Sequence, residues 1–136
     1  MAEKISLEVV TPEKEVFNAM VDSIILPAVA GSTGILYNHA PLLTVLQPGV
    51  LIYRDNGQEG RIAVSNGFME LNNNVARVLV SAAEKAEDID TARALASAER
   101  ARTRLAERQE GLDVVRAEAS LHRALARLKA ANYTQE

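Results

Sequence analysis

Glu84-Lys85-Ala86-Glu87-Asp88-Ile89-Asp90-Thr91-Ala92-Arg93-Ala94 is where the chain changes code. All four prolines and six of the seven glycines lie before it, while the stretch after it is rich in Ala, Arg and Leu and breaks once, at Gly111. Those residue types favour helix, and a glycine is a natural helix stop. Two unlike modules are therefore expected: a strand-built unit over residues 1–86 and a helical one over residues 87–136. No flexible linker separates them, because Asp88 is a suitable N-cap and the acidic Asp90 suits the positive end of a helix. Helices are predicted over about 89–109 and 112–132, either folded into a hairpin or opened into a rod.

Working back from the switch, Ile5, Leu7 and Val9 alternate with polar residues, the period of a strand with one buried face. Short apolar runs recur at 21–26, 42–46, 50–53, 61–65, 68–71 and 75–81, punctuated by Gly, Pro and Asn. Many short strands of this kind mean a sandwich or barrel. Asn56-Gly57 reads as a two-residue hairpin turn, since both central positions of a type I′ turn need positive φ. Asn72-Asn73-Asn74 reads as a second.

Working forward, 100° per residue places Leu95, Ala98 and Leu105 on one face of the first helix, with Arg93, Arg100 and Arg104 opposite. In the second helix Val114, Ala117, Leu121, Leu125 and Leu128 form the apolar stripe, and Arg116, Arg123 and Arg127 sit together roughly opposite. Leu95 and Leu105 need cover, which Leu121, Leu125 and Leu128 supply only in a hairpin.

Composition narrows the chemistry. At 136 residues the chain is about one domain long, and 48% hydrophobic with 24% charged residues is a globular balance. No apolar run approaches the ~20 residues of a membrane-spanning helix, and the N-terminus lacks a signal-peptide core. Without Cys there is no disulfide, thiolate zinc site or thiol nucleophile, and two His, at 39 and 122, are too few for a triad or metal cluster. A catalytic role is thus disfavoured and no metal site is expected. A nucleic-acid coat is disfavoured as well: net charge is −3, and the tail's cations are matched by as many anions.

Residues 31–49 read Gly-Ser-Thr-Gly-Ile-Leu-Tyr-Asn-His-Ala-Pro-Leu-Leu-Thr-Val-Leu-Gln-Pro-Gly. The glycines suit tight turns, and no Gly-Lys-Ser/Thr ending follows to make a phosphate loop. Asn38-His39-Ala40-Pro41 suits a kinked loop at the rim of the sheet, with His39 bonded to its own loop.

This run, with Val64-Ser65-Asn66-Gly67-Phe68-Met69-Glu70-Leu71 and Ile89-Asp90-Thr91-Ala92-Arg93-Ala94, closely resembles the epsilon subunits of bacterial F-type ATP synthases over essentially the whole chain. The resemblance implies a mainly β plus α fold, an N-terminal ten-stranded β-sandwich followed by a C-terminal two-helix hairpin. It further implies a noncatalytic rotor subunit of a proton- or sodium-translocating synthase, peripheral to the cytoplasmic face of the cell membrane or the stromal face of a thylakoid. The sandwich would meet the gamma subunit and the c ring; the extended tail would meet the alpha and beta subunits and inhibit ATP hydrolysis. Many relatives carry an acidic residue where this chain has Ser32, which brings no charge to a contact with the c ring.

The same resemblance implies a nucleotide site of Glu84, Ile89, Asp90, Arg93, Ala94, Arg100, Arg123 and Arg127, with ATP as a regulatory ligand rather than a required cofactor. The chemistry is sound, because arginine forks bind phosphate oxygens in pairs. Plain helix initiation at Asp90 and a solvated arginine face are the simpler readings of the same residues. The alternative for the whole chain is a free-standing sandwich binding module with a helical oligomerisation arm.

Overall fold

Alternating apolar residues become strands wherever one face can be buried, and ten strands result in the computed structural model, which describes residues 3–107 and 111–131. They are β1 (Ile5–Val10), β2 (Glu15–Val21), β3 (Ser23–Ala28), β4 (Gly31–Leu36), β5 (Leu42–Leu46), β6 (Gly49–Asp55), β7 (Gln58–Val64), β8 (Gly67–Asn72), β9 (Val75–Val80) and β10 (Ala83–Lys85). Their order is β10-β7-β6-β3-β5-β8-β9-β1-β2, with β4 paired to β3. All pairings are antiparallel except β1 with β9, which run parallel from Ser6 beside Val75 to Val10 beside Leu79. The sheet folds over a core of Ile5, Leu7, Val9, Ile24, Leu26, Ile35, Leu51, Ile62, Met69 and Val78, all sealed from solvent.

Turn chemistry sets the registers. Asn56 (φ 52°) and Gly57 (φ 78°) make the tight turn between Asp55 and Gln58, and Asn73 (φ 49°) with Asn74 (φ 62°) does the same between Asn72 and Val75. The Thr11 amide donates to Lys14 O, closing the first hairpin. Lys4 bridges Asp55 and Asp22, tying the chain start to the β6–β7 turn, and its ammonium is held above the usual lysine value chiefly by the bond to Asp55. Where β2 folds back against β6, the rings of Phe17 and Tyr53 pack at a tilt of 39° with centroids 4.6 Å apart. Tyr53 also lies over Gly60, its cross-strand partner. Burial pushes the Tyr53 hydroxyl above the usual tyrosine value.

Three strands differ from the expectation. β4 runs through Gly31 and Gly34, and the pairing of Gly34 with Ile25 makes it strand rather than turn. β2 and β10 carry weak apolar alternation because each lies at an end of the sheet, where the partner strand supplies the pattern.

After β10 the chain makes a 3₁₀ turn over Ala86–Asp88, and Ile89 is extended (φ −79°, ψ 126°). Helix α1 spans Thr91–Glu107 and α2 spans Val114–Ala130. The helix start is thus two residues later than expected, and the cap is Asp90, whose Oδ1 accepts the Arg93 amide at 3.0 Å. The reason is Ile89, which stays out of the helix to pack against the sandwich beside Val50, Ala63 and Ala130. Asp113 caps α2 in the same way through the Arg116 amide. Gly111, at φ +86°, lies in the connection. The predicted helix ends at 108–109 and 132 lie outside the described residues.

The two helices form a hairpin, but its seam is alanine. Ala94, Ala98, Ala124 and Leu128 are buried together, with Leu95 and Leu121 flanking them. Leu125, expected in the stripe, is exposed instead and lines a groove of about 420 Å³ between α2 and strands β3 and β6. Small side chains let helix axes approach closely, so Leu95 and Leu121 are displaced to the margins. Ala98→Leu, at a site with no exposure, should cost about 1–3 kcal/mol by overpacking. Spin labels at the exposed Ala96 and Glu118 should report a wider helix separation; an unchanged distance would show that the seam is not close-packed at Ala98.

Candidate functional site

Ser65 starts the site. It follows β7, is buried, and its Oγ accepts the Ala82 amide at 2.9 Å while lying 2.5 Å from Ser81 Oγ. That contact folds the chain back so that β10 pairs with β7, Glu84 opposite Ala63. The Glu84 side chain is thereby presented at the edge where α2 lands. Helix α2 arrives on the alanine methyls of Ala126 and Ala130, which are buried against β6 and β7.

This seating brings Arg127 to Glu84. Arg127 Nε lies 2.7 Å from Glu84 Oε1, and Nη2 donates to Oε2 at 3.4 Å. The side chains are 24% and 38% exposed, so the pair is partly screened but not fully solvated. The Nε atom is buried, and its short contact with Glu84 is an ion pair. Arg123, one turn earlier on the helix, lines the same cavity with Ser65, Ala82, Ala83, Glu84 and Arg127. Its volume is about 60 Å³, roughly the share of two water molecules. A cavity of that size is too small to enclose a nucleotide.

The remaining residues of the expected set are placed as follows. Asp90 caps α1, and Ile89 packs on the sandwich. The Ala94 methyl is sealed in the helix seam, so its side chain serves the packing that positions its neighbours. Arg93 and Arg100 are exposed on α1, and among the described residues neither has an ion-pair partner, nor does Arg123. The structure thus gathers Glu84, Arg123 and Arg127 at one cavity and places Ile89, Asp90, Arg93, Ala94 and Arg100 away from its lining. Arg127 does not belong to a solvated face, because α2 turns it onto the sandwich edge. Ser65 was not anticipated, and nothing in a lone serine distinguishes it.

A second surface lies on the sandwich. Val45, Phe68 and Leu79 are cross-strand neighbours on β5, β8 and β9, and all three are exposed on the outer face, with Leu43 beside them. The adjoining row pairs Glu70 with Arg77, and Arg77 Nε donates to Glu8 Oε2 at 3.0 Å. Near one end of this face the loop after β4 is pinned: the Asn38 amide donates to Asn74 Oδ1 at 2.7 Å, and Asn74 Nδ2 returns a bond to Asn38 Oδ1 at 3.3 Å. His39 Nδ1 lies 2.7 Å from Ala40 O, within its own loop as expected. Among the described residues no helix is long and apolar enough to cross a membrane.

Fold and site together define a sandwich protein with a helical arm folded onto one sheet edge and cations gathered where the two meet. Family models agree with that division: the one described as ATP synthase, Delta/Epsilon chain, beta-sandwich domain matches residues 4–86, and the long alpha-helix domain of the same chain matches residues 87–132. The chain belongs to the delta/epsilon chain family of ATP synthases. It is 53% identical over 105 residues to the ATP synthase epsilon chain of Carboxydothermus hydrogenoformans, covering 77% of this chain and 78% of that one. Against the epsilon chain of Desulfosudis oleivorans the identity is 49% over 106 residues, covering 77% and 80%. Among solved structures, a chain of the Euglena gracilis mitochondrial ATP synthase (OSCP/F1/c-ring) superposes with a TM-score of 0.80 at 23% identity, over 96% of this chain and 82% of that one. A chain of the Tetrahymena thermophila central stalk/c-ring structure gives 0.60 at 19% identity, covering 94% and 96%. At such identities the likeness is one of fold.

Proposed function

We propose that this chain is a noncatalytic central-stalk subunit of a rotary ATP synthase, whose sandwich docks on the gamma subunit and the c ring and whose hairpin restrains ATP hydrolysis in an ATP-sensitive way. The exposed row Val45-Phe68-Leu79 offers the sandwich an apolar contact for gamma, bordered by charges that fix register. The alternative, an oligomerisation arm, lacks a free seam in this conformation, since Ala94, Ala98, Ala124 and Leu128 are consumed within the chain.

The observation that carries the regulatory reading is the convergence of Arg123 and Arg127 at the junction of tail and sandwich. An anion held there contacts α2 while it is seated, so a ligand such as ATP that binds only the folded hairpin draws the population toward it. With ATP scarce the hairpin opens; each 17-residue helix is about 25 Å long, enough for the tail to reach the alpha and beta subunits and obstruct rotation.

The test is calorimetry and thermal melting of the isolated subunit with ATP. At 100 times its Kd a ligand adds about 2.7 kcal/mol to the folded state, and Arg123→Ala should remove most of that shift. Because Arg123 is exposed, the ligand-free melting temperature should stay put. No heat and no shift in the wild type at millimolar ATP would sink the nucleotide reading.

A further inference from the structure

The groove between α2 and strands β3 and β6 has a charge balance unlike that of the chain. The chain carries 18 Asp and Glu against 15 Lys and Arg, yet among the described residues the groove is lined by one lysine, one histidine and no carboxylate. On the helix side the lining is His122, Leu125, Ala126 and Lys129, spaced i, i+3, i+4 and i+7, so it is a single stripe of α2. The floor is apolar, with Ile25 and Pro27 of β3 beside Val50 and Ile52 of β6, and Ile25 directly opposite Ile52. It is also braced. Pro27 O accepts the Gln47 amide at 3.0 Å, and the Pro27 ring lies so close to Gly49 that a Cβ there would come within 2.6 Å of it. Leu125 on the helix and Ile25 on the sheet stay exposed, and among the described residues neither Lys129 nor His122 has an ion-pair partner.

We propose that this groove binds a single-chain amphiphile with an anionic head, the class of a free fatty acid, its alkyl chain lying over Pro27 and Ile52 and its carboxylate meeting Lys129. The volume of about 420 Å³ falls within the roughly 300–1,000 Å³ of small-molecule sites, so the occupant is a small ligand and not a folded partner. The apolar floor selects hydrocarbon, and a cation without competing carboxylates selects the anionic head. Such a ligand touches α2 on one side and β3 and β6 on the other, so it binds while the arm is seated and draws the population toward that state. The groove shares no lining residue with the cavity of Arg123 and Arg127. The inference therefore stands apart from the nucleotide reading.

The test is methyl NMR of the full chain, labelled at Ile and Leu and titrated with decanoate below its micelle concentration. Decanoate should shift Ile25, Ile52 and Leu125 saturably and leave Leu43 and Leu79, exposed on the other apolar surface, in place. Each buried methylene tightens binding about fourfold, so octanoate should bind about 10-fold more weakly. Lys129→Glu and Leu125→Gln, both at exposed positions, should each weaken decanoate by about 10-fold. Decyltrimethylammonium should not saturate the wild-type groove and should bind better to Lys129→Glu. Arg123→Ala should bind decanoate as the wild type does. Spin labels at the exposed Gln58 and Glu118 should show a narrower distance distribution with decanoate bound. Equal shifts at Leu43 and Leu79, equal binding of octanoate, or equal binding of the cationic amphiphile overturns the site. So does undiminished binding by Lys129→Glu and Leu125→Gln. Shifts produced by phosphatidylglycerol vesicles but not by decanoate would make the groove a membrane contact and overturn the fatty-acid assignment. An unchanged label distribution overturns the seating of the arm, and loss of decanoate binding in Arg123→Ala overturns the independence of the two sites.

Discussion

Gly67→Ala should lower the stability of the protein by about 3 kcal/mol or more, one of the largest losses a single methyl can cause here. Gly67 opens β8 directly opposite Val80, and a methyl there would strike Leu79 O and come within 2.7 Å of Val80 Cα and 2.9 Å of Leu79 C. All three are main-chain atoms of β9, so no side chain can swing aside and the ladder itself has to shift. Gly34→Ala is the control: it too is a strand glycine, but a methyl there meets nothing within 4 Å. Urea midpoints should separate the two variants widely, against a total stability of about 5–15 kcal/mol typical of a domain. Similar midpoints would mean that β8 and β9 are not packed as closely as Gly67 implies.

Removing residues 88–136 should leave the sandwich folded and the complex assembled, and should raise ATP hydrolysis several-fold at low ATP with little change in coupled synthesis. The physical ground is that the sandwich core, from Ile5 and Leu7 to Met69 and Val78, contains no residue of the tail. The tail covers only a small patch, chiefly Val50 and Ala63 with Ile52 beside them. Hydrolysis by the reassembled synthase at micromolar and millimolar ATP, with full-length and shortened subunit, provides the measurement. The gain should be largest at micromolar ATP, where the hairpin is open. A truncation that fails to fold, or one that assembles with no gain in hydrolysis, would contradict the division of labour proposed for the two modules.

How far these features were legible in the sequence depends on how local their causes are. The turns at Asn56-Gly57 and Asn73-Asn74 were readable because positive φ is a demand on single residues. The split near Ala86 was readable because composition changes there. β4 was not, since a strand containing Gly31 and Gly34 is made by its partner β3. The start of α1 was misplaced because Asp88 and Asp90 are equally good caps on paper, and only the burial of Ile89 decides between them. Helical periodicity found the correct faces but weighted leucine over alanine, and so put Leu125 in a seam that Ala94, Ala98 and Ala124 fill. Glu84, Arg123 and Arg127 were all singled out by family likeness; that Glu84 ion-pairs with Arg127 follows from how β10 pairs and where α2 lands.

The parallel contact of β1 with β9 has a consequence for synthesis. Val75 follows Ser6 by 69 residues in the chain, so at roughly 5–20 residues per second the first strand waits about 3–14 s on the ribosome for its neighbour to be made. During that wait β1 can pair only with β2, and its other edge stays open to whatever strand comes near. The helices come last. The helical arm is therefore translated after every strand it will rest upon, and it can be seated as soon as it is made.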